Sequence, residues 1–445
     1  MRLPNNGLSR RGLLKAAGVS AAMASLPKWF VEETLDAAEP KAPTTANDKP
    51  NVALIGCGGR GRVDAKEASK FGNIVAVCDV DDRHADGAAM QFYGAKPYKD
   101  FRKVLERDDI PIIITGTPDH WHTLVNLAAL KAGKDVYSEK PLTLTIDEGK
   151  RVVEAVKKSG RILQTGTQQR SDPKFRLAAE LIRNNRIGKV SEIKVVLPAG
   201  LKGGPFPTAP KPDALDWDFW LGQAPKVDYV VERSDFRFRY WYDYSAGTIT
   251  DWGAHHNDIV QWALGMDSCG PVAVDGKPTS ELIPGGYTAY SEYQIEYTYA
   301  NGVKSSVSTT VDDSWGGAQV HKGPGTRHHG ITFIGSDGWL FVTRGKIDAS
   351  RPEILQDPLG SDAIRLEVSS DHKANFFDCV RTRRQPICTA EVGHRSATVG
   401  HLGAISTRLG RPLKWDPEKE QFINDSEADQ WMAREQRKPW SYEMI

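Results

Sequence analysis

Two clusters of side chains have the types and spacing of a site that handles protons and charge. The first is Ser138-Glu139-Lys140-Pro141-Leu142. The apolar run that ends at Ser138 reads as a strand of a parallel sheet, and such sheets bind ligands beyond the carboxyl ends of their strands. Lys140 is thereby aimed at a ligand crevice, where an ammonium can stabilise charge developing on a substrate oxygen. Pro141 would fix the backbone there, a cis bond being one way to do it. The plainer alternative is a solvated Glu139–Lys140 turn pair.

The second cluster is Asp251-Trp-Gly-Ala-His255-His256-Asn257-Asp258. Asp251, His255 and Asp258 recur at i, i+4 and i+7, which a helix stacks on one face, with Ile259, Trp262 and Ala263 as an apolar seam beside them. The expected chemistry is an imidazole acid/base whose tautomer and basicity a carboxylate sets, typically worth about 10²- to 10⁴-fold in rate. Against it stand an N-capping Asp251 and a core-satisfied His255. His256 faces elsewhere and reads as structural. A zinc site built from Asp251, His255 and His256 with one of His120, His122, His328 or His329 is disfavoured, because adjacent histidines do not readily share a site on one regular helix; no metal is expected.

Both clusters need elements to carry them, and the stretch Asn51-Val-Ala-Leu-Ile-Gly56-Cys57-Gly58-Gly59-Arg60-Gly61 starts the series. A short apolar strand stops at Gly56, and Gly56, Gly58 and Gly61 fall on a G-x-G-x-x-G spacing. Such glycines serve a tight turn, close approach of a pyrophosphate to bare backbone, and helix-on-strand packing. The following helix (62–70) points its amide end at the phosphates. With 41 glycines in the chain, chance matches to this pattern are common. A second strand (74–78) ends at Asp79, about twenty residues after the first glycine, where a carboxylate can accept from ribose hydroxyls. An anion there repels a 2′-phosphate and favours NAD over NADP, although Arg83 is close enough in sequence to soften that preference.

From residue 51 strands and helices alternate: helices at 82–93 and 99–106, a strand at 110–115 running into Gly116-Thr117-Pro118-Asp-His120-Trp-His122, a helix to 132, then strand 136–138, helix 145–158 and strand 162–165. This is the rhythm of a parallel sheet covered on both faces, a Rossmann domain over 49–168. A helix (173–185) and a longer strand (190–197) then open a second domain, 169–445. Strands at 291–299, 304–311, 330–335 and 339–343, joined by turns such as Asn301-Gly302 and Asp337-Gly338, imply a mainly antiparallel sheet. Helices at 375–384 and 395–409 and a polar tail close the chain. The fold class is α/β, with an N-terminal Rossmann dinucleotide-binding domain followed by an α+β domain with an open sheet.

A chain of 445 residues is long enough for two cores, and 58 basic against 57 acidic side chains provide no field for nucleic acid or an anionic membrane. The five cysteines include no C-x-x-C pair; Cys57 and Cys78 read as small buried apolar residues. Ser9-Arg10-Arg11-Gly-Leu-Leu-Lys15 before a weakly hydrophobic run (16–26) has the form of a twin-arginine export signal, with cleavage expected near Ala22-Met-Ala24. The run is too short for a membrane span. Such export carries folded proteins, which suits one that loads a dinucleotide beforehand. The signal and a Pro-containing linker (27–48) make up residues 1–48, and a periplasmic or envelope location follows.

Taken in order, G-x-G-x-x-G, Thr117-Pro118 with His122, Glu139-Lys140-Pro141 and Asp251-x-x-x-His255 resemble the glucose–fructose oxidoreductase/inositol dehydrogenase/MocA (Gfo/Idh/MocA) family. The resemblance runs from about residue 50 to the end, and the tail Gly410-Arg-Pro-Leu-Lys-Trp-Asp416 looks like the family's exported branch. It implies an NAD(H) oxidoreductase working on a secondary alcohol, or the matching ketone, of a sugar or inositol-like polyol, and a homodimer or homotetramer built on the open sheet. By position, Lys140, Asp251 and His255 match catalytic residues. Gly56, Gly58, Gly59, Arg60, Gly61, Asp79, Thr117, Pro118, His122, Glu139 and Lys140 would line the cofactor. Arg170, Trp241, Tyr242 and His256 are candidates for holding substrate, with domain packing the stronger reading of the two aromatics. The His256-Asn257 pair and a Gly/Pro/Lys-rich loop (198–212) depart from the plainer family pattern. Two further readings stand beside this one: a glycosidase working by transient ring oxidation and elimination, and a non-catalytic dinucleotide or sugar sensor.

Overall fold

The computed structural model describes residues 26–37, 49–309 and 329–444. The twin-arginine motif, its expected cleavage site, part of the expected linker and His328 lie outside the described residues.

Six short strands make the first sheet: β1 (Asn51–Ile55), β2 (Asn73–Cys78), β3 (Lys96–Tyr98), β4 (Ile112–Thr115), β5 (Asp135–Ser138) and β6 (Leu163–Thr165). All pair in parallel in the order β3-β2-β1-β4-β5-β6, which puts a topological switch between β1 and β4. The inner strands β1, β2 and β4 are nearly continuous apolar runs because both faces are covered there. Ala53 and Ile55 enter one core, Val52 and Leu54 the other. Local chemistry sets the helix ends: Asp81 and Thr145 cap helices Asp82–Gln91 and Ile146–Ser159 through side-chain oxygens, and Gly160 closes the latter in the left-handed region.

The second sheet contains β7 (Val190–Val196), β8 (Ala273–Pro278), β9 (Tyr293–Thr298), β10 (Lys304–Ser308), β11 (Gly330–Gly335), β12 (Gly338–Val342), β13 (Ile347–Ala349), β14 (Leu413–Asp416) and β15 (Gln421–Phe422). Its order is β13-β12-β11-β7-β10-β9-β8-β14-β15, antiparallel except where β10 meets β7. Helices Pro173–Arg183, Gly253–Leu264 and Ala390–Leu409 pack over one face. Along β9, buried Tyr293, Ile295 and Tyr297 alternate with exposed Gln294 and Glu296, so the opposite face of that strand is open. No described helix is long and apolar enough to cross a membrane.

Three expectations change. The segment expected as a linker contains a helix, Lys28–Ala37, whose Phe30 is fully buried against the second domain. The polar tail folds back: β14 and β15 extend the sheet, while Trp440 stacks on Phe219 and meets Trp121 edge-on. Strand β8 was not expected, because Gly276 and Pro278 disguise it as a turn. Gly276 is there for packing, since a Cβ would lie 2.4 Å from Thr407 Oγ1 of the long helix.

Candidate functional site

At the switch point the glycines fall into separate roles. Gly56 has φ +89°, and a Cβ on it would sit 2.5 Å from Gly116 C and Thr117 N. At Gly61 a Cβ would lie 1.9 Å from Gly56 O, so this glycine lets the helix Gly59–Ala68 rest on the strand end. Gly58 and Gly59 are different: a Cβ on either meets nothing within 4 Å. That open backbone, at the amide end of a helix, is a cradle for a pyrophosphate. Asp79 stands at the end of β2, its carboxylate accepting from Cys57 N at 2.7 Å and Asp81 N at 2.9 Å. Arg83 is clamped by Asp81 in a two-point pair.

Lys140 follows β5, and the peptide to Pro141 is cis. Its Nζ reaches across to the second domain, donating to Asp251 Oδ1 at 2.5 Å and Asp251 O at 3.1 Å. Arg239 Nε donates to the same Oδ1 at 3.1 Å. Burial would raise the Asp251 pKa, but Lys140 and Arg239 hold it well below the usual carboxylate range. His255 is buried, and its Nδ1 has no hydrogen-bond partner among the described residues. Burial, reinforced by the charges of Lys140 and Arg344, drives its pKa well below the ordinary histidine value. The site therefore holds a fixed ammonium, an ionised aspartate and a neutral imidazole.

This differs from the expected Asp251–His255 couple. The helix is interrupted at Trp252, between Thr248–Asp251 and Gly253–Leu264, and Asp251 is turned to Lys140 rather than to the imidazole. Asp258 is not on the site at all. It is fully buried and held by Arg170 through two 2.8 Å contacts and by Ser396 at 2.7 Å.

Four substrate candidates are corrected accordingly. Arg170 is 2% exposed, with its guanidinium engaged by Asp258 and Asp267, so it has no face to offer a ligand. Trp241 is buried in an aromatic cluster, its Nε1 on Glu232 O and Arg233 stacked 3.9 Å over its ring. Tyr242 is sandwiched by Arg408 and Arg434 at 3.9 and 4.1 Å. His256 is buried between Gln169 and His329, at 3.3 Å from each.

The remaining candidates frame the crevice. Glu139 accepts from Arg60 Nε and Gln168 Nε2, both at 3.1 Å, which ties the glycine turn to the Lys140 loop. Behind it, fully buried Asp64 is held by Arg60 and Lys373, each at 2.6 Å. Burial and the nearby Glu139 push the Asp64 carboxyl up to about 7. Burial acts on Glu139 in the same sense, yet Arg60, Lys140 and Lys373 keep it the ionised member. His122 bridges Pro141 O at 2.7 Å and Thr117 O at 2.9 Å, so it braces the loop from within. Thr117 Oγ1 is buried without a partner among the described residues, and Pro118 starts the helix Asp119–Lys131. His120 is engaged by Trp220 O at 3.0 Å, and among the described residues no group of His, Cys, Asp and Glu is arranged to hold a metal ion. Arg239 escaped the sequence reading, because only the fold joins it to Asp251.

The open glycines, Asp79 and the unpartnered Thr117 hydroxyl fit a dinucleotide: Gly58 and Gly59 would take the pyrophosphate and Asp79 the ribose. A Rossmann domain with this crevice, closed by a second domain's Asp251 and His255, defines a dinucleotide-dependent oxidoreductase. Models of one oxidoreductase family match in two parts, its NAD-binding Rossmann fold over residues 50–167 and its C-terminal α/β domain over residues 202–327 and 355–442. The chain belongs to the Gfo/Idh/MocA oxidoreductase family.

Among curated relatives, scyllo-inositol 2-dehydrogenase (NAD(+)) of Bacillus subtilis is 26% identical over 370 residues, covering 82% of this chain and 96% of that one. Inositol 2-dehydrogenase 2 of Saccharopolyspora erythraea is 27% identical over 49% of this chain; the chain spans about half that relative's length, 54%. Among solved structures, levoglucosan dehydrogenase in complex with NADH and levoglucosan superimposes with TM-score 0.61 at 18% identity, covering 82% of this chain and 99% of that one. The WlbA dehydrogenase of Bordetella pertussis, with NADH and UDP-GlcNAcA, gives TM-score 0.61 at 19% identity, covering 83% and 99%. At these identities the two structures speak for the fold.

Proposed function

We propose that this chain is an NAD(H)-dependent dehydrogenase that interconverts a secondary alcohol and a ketone on a sugar, sugar derivative or inositol-like polyol. One observation carries the reading. Lys140 places two of its three ammonium hydrogens on Asp251, which leaves one for a substrate oxygen beside a neutral imidazole. Bound nicotinamide would accept or return the hydride of the reacting carbon. The chain's own residues handle the rest. Lys140 donates to the reacting oxygen and stabilises alkoxide character; Asp251, kept ionised by Lys140 and Arg239, fixes the lysine; neutral His255 takes the hydroxyl proton, or gives it back in reduction.

The names of the inositol and levoglucosan dehydrogenases support the substrate class. NAD is preferred over NADP because Asp79 opposes a 2′-phosphate while Arg83, committed to Asp81, offers it no compensation. The open sheet face is the surface for a homodimer or homotetramer. The twin-arginine sequence is the route to the periplasm or envelope, and Arg10→Lys with Arg11→Lys should trap the precursor inside the cell.

The test is a purified sample assayed for co-purified nicotinamide, then offered sugars, cyclitols and aryl glycosides with NADH and released aglycone followed together. NADH without aglycone supports the dehydrogenase. Aglycone without net NADH would move the assignment to redox elimination, and bound nucleotide with neither product to a sensor.

A further inference from the structure

Beside the reacting groups lies an arginine that the scheme above leaves unused. Arg344 follows β12, and its Nε donates to Gln169 Oε1 at 3.1 Å. Its guanidinium carbon lies 4.8 Å from the Trp252 ring centroid. Both supports lead to the reactive pair. The other end of Gln169 donates to His255 O at 3.2 Å, and Trp252 packs against the His255 ring at 5.9 Å. The guanidinium is thus held by one edge and one face. Neither terminal nitrogen has a hydrogen bond to a described residue, and no described carboxylate lies within ion-pair distance.

The charge around it is unbalanced in the same direction. Lys140 and Arg239 share the single carboxylate of Asp251. Arg60 and Lys373 face Glu139 and the raised Asp64, with Glu67 3.6 Å from Lys373 on the outer side. The carboxylates that attract Arg344 from farther off are already paired: Asp172 with Lys174 at 3.3 Å, Asp251 with Lys140 and Arg239, and Glu139 with Arg60. A stacked, half-engaged guanidinium with a free two-nitrogen fork is the geometry that receives an oxyanion through two parallel hydrogen bonds.

We propose that Arg344 is a specificity residue that selects a substrate carrying an oxyanion, either the carboxylate of a sugar acid or the phosphate of a sugar phosphate. The inference rests on the dehydrogenase reading and narrows its substrate class. It predicts that, among sugars differing only at the terminal carbon, the acid or the phosphate is turned over in preference to the neutral alcohol.

The experiment measures kcat and KM with NAD for matched substrates, glucose, glucuronate and glucose 6-phosphate, then galactose and galacturonate, for wild type, Arg344→Gln and Arg344→Lys. Preference for the uronates identifies a carboxylate, and preference for the phosphate ester identifies a phosphoryl group. Arg344→Gln should collapse the anionic-over-neutral ratio by about 10- to 100-fold, the usual worth of hydrogen bonds to a charged group. The loss should fall in KM, with nucleotide affinity unmoved. Arg344→Lys should recover only part, since it keeps the charge without the fork. Equal losses on neutral and anionic sugars, a wild-type preference for the neutral sugar, or a shift confined to nucleotide affinity would overturn the proposal. If wild type reduces NAD with no sugar or polyol at all, the dehydrogenase reading itself fails.

Discussion

Removing the Lys140 ammonium should separate chemistry from binding. Lys140→Ala takes away the donor to the substrate oxygen, yet Asp251 keeps Arg239 at 3.1 Å, so the carboxylate is not left unpaired. Turnover should fall by at least about 10²- to 10³-fold while the nucleotide dissociation constant stays close to wild type, read by steady-state kinetics beside fluorescence titration. His255 makes a prediction about pH. Its folded-state pKa is depressed, so the neutral base persists below 6.5, and kcat/KM for alcohol oxidation should show no loss at the ordinary histidine value as pH falls. Stability, unlike kcat/KM, should change over this pH range. His120, His372 and His401, each driven to about 3 chiefly by burial, stay unprotonated in the folded chain while the unfolded chain takes up protons near 6.5. Their contribution is complete above 6.5 and declines as pH falls, each by about 2 kcal/mol at pH 5. Asp64, raised to about 7, opposes this, because the folded form keeps a proton that the unfolded form releases down to 3.8. Denaturant midpoints at pH 7 and pH 5, for wild type and Asp64→Asn, would resolve the two signs.

At the scale of elements, the glycine turn divides into a part that packs and a part that binds. Gly58→Ala adds a methyl into open space at an ordinary extended φ of −68°, so the melting temperature should hold while NAD affinity drops about tenfold or more. Gly61→Ala drives a Cβ into Gly56 O and should cost about 1–3 kcal/mol or more of stability. Thermal melts with and without NAD would separate the two variants. The turn, the Lys140 loop and most strands were legible in the sequence because their signals are local: apolar runs, turn residues, capping side chains. Pairing across distance was not. Arg170 looked free for substrate because Asp258, 88 residues on, is its partner only in the fold. Asp251 looked like the companion of His255 because helical spacing cannot show that Lys140 and Arg239 compete for it. Gly276 concealed β8 because the tight contact it permits with the long helix leaves no trace in pattern.

At the scale of the molecule, both ends of the described chain are structural. Trp440 lies between Trp121 of the first domain and Phe219 of the second, and Tyr442 OH donates to Glu148 Oε1 at 2.5 Å, so the tail ties the domains together. Helix Lys28–Ala37, at the other end, packs on the second domain. Phe30 is buried with Arg176 4.1 Å over its ring, Arg176 also donates to Thr34, and Glu33 pairs with Arg365. The two contacts differ in burial, and that difference sets the expected sizes. Phe30→Ala empties a fully buried site and should cost about 3–5 kcal/mol. Trp440 is only half-buried, and its loss should cost less in overall stability while loosening the domains that share the crevice. The discriminating measurement is a pair of denaturation curves with kinetics below the transition. Phe30→Ala should lower the midpoint strongly and leave KM for NAD close to wild type, whereas Trp440→Ala should raise KM for both substrates with a smaller shift in midpoint. If Trp440→Ala changes neither, the tail is not what sets the domain arrangement, and the positions of Lys140 and Asp251 are then held by their own contact at the crevice.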